Sequence, residues 1–177
     1  MSTVPAPPVD ARRDEIMYCL FADLQKARFN ELYYRNRAAS LRRWSNLSSI
    51  ISALTASSVL AGMLKEGTVG ASVIWMLLTL AAVVTAAANP VLQWNTRAAR
   101  LEQAALGHGL IHNRVHELLR DLKLSELNES HEARMREINA FGDGLAALDE
   151  KPVQRVINKC WEQALREYPA DQAWTAV

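Results

Sequence analysis

The stretch "SLRRWSNLSSIISALTASSVLAGMLKEGTVGASVIWMLL", residues 40–78, decides how the chain is expected to fold. Two apolar runs flank a three-residue break, Lys65-Glu66-Gly67, and the first run is speckled with serine. Residues 44–64 make 21 consecutive positions without a charge, and residues 68–96 make 29. As a helix the first run would be roughly 32 Å long, close to the thickness of bilayer hydrocarbon. The most apolar part of the second, residues 71–88, includes Val73, Ile74, Trp75, Leu77, Leu80, Val83 and Val84, which fall on every face of a helix. A helix at the surface of a water-soluble bundle would keep a polar stripe. The soluble alternative buries two central helices on all sides, which needs a shell of neighbours that 177 residues supply poorly. The expectation is an all-α fold: a two-span transmembrane helical hairpin over residues 44–96, extended by long cytoplasmic helices and oligomeric.

Basic residues orient such a hairpin. Arg28, Arg35, Arg37, Arg42 and Arg43 precede the first run, and Arg97, Arg100 and Arg114 follow the second. An excess of arginine marks the cytoplasmic side, so both termini are expected in the cytoplasm of a multi-pass inner-membrane protein, with residues 65–70 outside. Pro90 removes a backbone donor and ends or kinks the second run.

The serines of the first run have a pattern of their own. Ser45, Ser49, Ala53, Ser57 and Ala61 recur every four residues, a ladder of small side chains that lets helices approach closely in lipid. Ser48, Ser52 and Thr55 form a second strip. Two expectations compete for Ser45, Ser48, Ser52, Thr55 and Asn89: helix packing, or the water-lined face of a pore enclosed by several copies.

Beyond the hairpin the chain reads as helices. The Pro-rich residues 1–11 are expected to be a disordered tail, with no secretory leader, and residues 12–43 a cytoplasmic lead helix. Its seam, Met17, Leu20, Leu24, Ala27, Tyr34, Ala38 and Leu41, has coiled-coil-like spacing and, carried forward, reaches Ser45, Ser48, Ser52 and Thr55. Residues 97–169 read as a cytoplasmic helical region, and residues 170–177 as a tail. A long helix there returns along Leu101, Ala104, Ile111, Val115, Leu118 and Leu122, breaks between Ser125 and Ser130, and is followed by a helix buried through Met135, Ile138, Phe141 and Leu145. A last amphipathic helix follows Pro152, carries Val156, Ile157, Cys160, Trp161 and Ala164, and ends at Tyr168-Pro169.

Little in the chain points to chemistry. A net charge of +1 gives no general attraction to nucleic acid. Cys19 and Cys160 lie far apart without a partner motif and fit a reducing compartment. No phosphate-cradling loop, nucleophile elbow or Cys-x-x-Cys pair is present, so no enzyme, cofactor or metal site is expected. The one local cluster is "HGLIHNRVH", with His108, His112 and His116 four residues apart. Three expectations attach to it: a solvated polar edge, a pH-sensitive contact through His108 and His112, and a metal pair lacking its further ligands.

The lead helix ending "YYRNRAASLRRW" (residues 33–44), the tight hairpin and the basic restart "WNTRAARLEQAA" (residues 94–105) resemble the SLATT family of bacterial conflict-system effectors. The resemblance covers about residues 12–165 and is one of architecture more than of motif. It implies a membrane effector of a defence system, forming a regulated pore or disrupting the inner membrane as a homo-oligomer when a separate sensor or signalling protein triggers it. The alternative from another class is a membrane-anchored scaffold that recruits a cytoplasmic partner without conducting ions.

Overall fold

The computed structural model describes residues 9–63, 76–77, 80, 83–84, 93–145 and 152–169. Four helices are bounded within them: α1 Val9–Met63, α2 Trp94–Leu124, α3 Glu129–Gly144 and α4 Gln154–Glu167. The fold is all-α over these residues, as expected. The chain divides into two compact units, one made of residues 1–36 and 101–177 and the other of residues 37–100.

The larger unit is a bundle whose core follows the 3-4 spacing of its helices. Leu20, Leu24 and Ala27 of α1 meet Ile111, Val115, Leu118, Leu119 and Leu122 of α2 and Ile138 of α3. Val115, Leu118 and Leu122 have no exposed surface, so this stripe is the centre of the unit. Partly buried Met17, Met135, Phe141 and Leu145 close around it. Arg13 donates to the Leu122 carbonyl while Tyr34 stacks on His108, so α1 and α2 run antiparallel. That Arg13 bond also satisfies one of the carbonyls that a helix C-terminus leaves without a partner.

A second cluster seats α4 on α1. Cys160 packs with Leu32 and Tyr33, and Phe29, Tyr34, Val156 and Ile157 lie around them. The Phe29 and Trp161 rings meet edge to face at 5.2 Å.

The break between α2 and α3 is a cap. Asn128 is extended, its Oδ1 accepts from the His131 amide, and its own amide donates to His131 Nδ1. A histidine thus fills the place that Glu or Gln takes in a capping box, and it is buried there. Across the break, Arg134 pairs with Asp121 at 2.6 Å and Arg114 with Glu137 at 2.9 Å, which sets α3 antiparallel to α2.

The smaller unit contains the far half of α1 and the start of α2. Ala38, Ser45, Ser48 and Ala98 are buried in it. Trp44, Leu47 and Ile50 are exposed, so small side chains face inward and large apolar ones outward. Ser49 donates to the Ser45 carbonyl one turn back. Gln93, at φ 44, accepts from the Arg97 amide at 2.9 Å and starts α2.

No helix among the described residues is long and apolar enough to cross a membrane. Freedom from charge is not apolarity: Ser45, Asn46, Ser48, Ser49 and Ser52 dilute the far half of α1, and its near half is densely charged. This corrects the expected two-span transmembrane hairpin over residues 44–96. The pore-forming or membrane-disrupting effector, the membrane-anchored scaffold, the lipid bilayer as partner and the multi-pass inner-membrane placement depended on that hairpin and fall with it. So do the homo-oligomeric assembly around a conduit and the separate sensor. Most of residues 71–88, the most apolar stretch of the expected second span, lies outside the described residues, as do residues 1–8 and 170–177 of the expected tails.

Candidate functional site

A cleft of ≈ 260 Å³ opens in the larger unit where α1, α2 and α3 converge. Its floor is apolar: Ala27 from α1, Ile111 and Val115 from α2, and Ile138 from α3. These four belong to the core stripe, so the floor is held by the packing that holds the unit together. The rim is polar. Asp23, Lys26 and Asn30 stand at i, i+3 and i+7 on α1, one face of the helix, and Asn139 and Asp143 stand at i, i+4 on α3. His108 closes the rim from α2. Gly142 leaves the wall low, with the Ile111 Cδ1 methyl 3.6 Å from where a Cβ would sit.

Among the described residues, Asp23, Lys26, Asn30, Asn139 and Asp143 make no side-chain hydrogen bond or ion pair. Burial raises the Asp23 carboxyl above the usual range, and the nearby Lys26 ammonium opposes that only in part. The His108 ring is pushed down by burial and then by the Lys26 charge, so it is neutral at pH 7. Its face lies on Tyr34, with centroids 5.4 Å apart and planes 8° from parallel.

The adjoining face of α1 differs in that its polar groups are all engaged. Gln25 donates to the Tyr168 carbonyl at 2.7 Å, and Arg28 donates to Glu167 at 2.6 Å and to Glu31 at 2.8 Å. The Tyr168 hydroxyl lies 2.8 Å from His112 Nε2. Asn113 Oδ1, an acceptor only, lies 3.2 Å from His112 Nδ1, so Nδ1 carries the ring proton and Nε2 accepts from Tyr168. Together these bonds clasp the end of α4 onto α1 and α2. The Arg28 hydrogen bond holds the Glu167 carboxyl below the usual range, and burial pushes the Tyr168 phenol up. Burial also lowers the His112 ring, with the Asn113 bond opposing.

The histidines singled out from the sequence are therefore divided. His108 lines the cleft, His112 belongs to the clasp, and exposed His116 lies 6.5 Å from the His112 ring, centroid to centroid. No group of three or more His, Cys, Asp or Glu side chains among the described residues could hold a metal ion. Ser45 and Ser48 are buried in the smaller unit and Ser52 is half-buried there. The Thr55 side chain and Asn89 lie outside the described residues. Sequence reasoning missed Asp23, Lys26, Asn30, Asn139 and Asp143. Their signal was a polar line at helical spacing directly beside the apolar seam.

No known protein family, curated protein or solved structure matches this chain. The resemblance to SLATT effectors is corrected on two grounds: no family match carries it, and the described helices do not supply its membrane spans.

Proposed function

We propose that the chain is a binding module without catalytic activity, and that the α1–α2–α3 cleft is where it takes a small amphipathic ligand. One observation carries this reading: five polar side chains that make no side-chain hydrogen bond or ion pair among the described residues surround an apolar floor. A concave apolar surface with a few convergent polar groups is the usual form of a ligand site. The apolar part of the ligand would lie on the accessible edges of Ile111 and Ile138, and its polar end would meet the rim.

Ligand-observed NMR with a fragment library tests the proposal. Asn139 is exposed at the rim, so Asn139→Trp should fill the cleft without disturbing the core. The expected outcome is a set of amphipathic fragments that bind the native chain and lose binding in Asn139→Trp, with the helical circular dichroism of the variant unchanged. Fragments that bind both proteins equally, or none that bind at all, would sink it.

A further inference from the structure

We propose that this cleft selects a small organic cation, an ammonium or amidinium group carried on a short apolar stem. The inference rests on the binding role of the cleft and adds the charge of its ligand. The rim carries one positive side chain, Lys26, and two negative ones, Asp23 and Asp143. His108, neutral at pH 7, adds no charge, so the rim is negative by one.

The acceptors outnumber the charged donors as well. Two carboxylates and the side-chain amides of Asn30 and Asn139 line the cleft from α1 and α3, against the one ammonium of Lys26. Partial burial raises the Asp23 carboxyl and Lys26 opposes that only in part, so a second cation would favour its charged form. Lys26 is exposed, and its long stem can carry the ammonium out into water when another cation arrives. An incoming ammonium would give Asp143 a cationic partner and Asp23 a second one besides Lys26. An anion would meet two carboxylates and only a well-solvated lysine, while a neutral ligand would gain the floor and rim hydrogen bonds but no ion pair. Charge complementarity therefore discriminates among ligands whose apolar stems are identical.

The probes are pentylammonium, pentanol and pentanoate, equal in stem and different in charge. Each is titrated into the full-length chain with its isoleucine methyl groups labelled, and the Ile111 and Ile138 methyl signals are followed by NMR. Pentylammonium should saturate at the lowest concentration and pentanoate at the highest. Asp143→Asn should weaken pentylammonium about two- to fivefold, the scale of one partly solvated ion pair, and leave pentanol unchanged. Lys26→Met should tighten pentylammonium by a similar factor. Added salt should weaken the ammonium and not the alcohol. Pentanoate binding as tightly as pentylammonium, or pentylammonium indifferent to Asp143→Asn, overturns the inference and leaves the binding role standing. Methyl signals that move with none of the three probes overturn both.

Discussion

His108 and His112 sit one turn apart on α2, yet each answers to different neighbours. His108 faces Lys26 and the Tyr34 ring. His112 faces Arg28 and Glu31 from α1, Glu167 and Tyr168 from α4, and His116 on its own helix. Burial lowers both rings from the ordinary 6.5. The unfolded chain therefore takes up protons first as the pH falls through that value, and stability falls with it until the folded rings are protonated too. The contribution of both histidines is complete above about pH 6.5 and is lost on acidification below it. Urea midpoints measured from pH 7.5 down to 5.0 should decline across this window, and His108→Gln with His112→Gln should flatten the decline. An unchanged slope in the double variant would show that the rings are not responsible. The lowered carboxyls of Asp121 and Glu167 act further down, where acid costs the chain the Arg134 and Arg28 pairs.

At the scale of the element, two glycines within α2 make a sharper comparison than either alone. A Cβ on Gly107 would lie 2.5 Å from Leu145 Cδ2, 2.8 Å from Cδ1 and 3.2 Å from Cγ, so the whole Leu145 side chain would have to move. A Cβ on Gly109 would meet its nearest neighbour, the Glu31 Cδ, at 3.4 Å. Alanine gains about 1 kcal/mol of helix propensity at either site. Overpacking costs about 1–3 kcal/mol and applies only to the first. Gly107→Ala should therefore lower stability by about 1 kcal/mol and Gly109→Ala should raise it by up to about the same amount, read from paired thermal or urea unfolding curves. Equal effects of the two changes would mean that Leu145 does not press on α2.

The seams of these elements were legible in the sequence because burial imposes a period. Leu20, Leu24 and Ala27 on α1, and Ile111, Val115, Leu118 and Leu122 on α2, were visible as lines of apolar residues and are buried as such. The break at Ser125 was visible from its polar residues, though not the part His131 plays in it. The cleft was not legible. Asp23 and Lys26 look like any solvated helix face until α3, distant in sequence, brings Asn139 and Asp143 opposite them. The hairpin expectation failed for a related reason. It weighed the missing charges in residues 44–64 above the hydroxyl and amide groups that were present, although those too lower how apolar a helix is.

For the molecule as a whole, α4 is the element whose attachment can change most simply. It is the last of the described helices, and its hold on the larger unit combines the clasp at its end with the cluster around Cys160. The Cys160 thiol is 1% exposed, bonded by the Asn36 amide at 3.5 Å and raised by burial, whereas Cys19 lies exposed on α1. A thiol reagent acts on the thiolate and needs access to it. The chain thus carries its own stopwatch and its own reference. Cys19 should be alkylated at once under all native conditions, and Cys160 only as fast as α4 lifts away. Arg28→Ala should quicken the second reaction severalfold and leave the first alone, on the scale of one or two partly solvated ion pairs. Equal rates at the two thiols would mean that α4 spends much of its time detached. Slow alkylation of Cys160 that ignores Arg28→Ala would place the hold in the apolar cluster and not in the clasp.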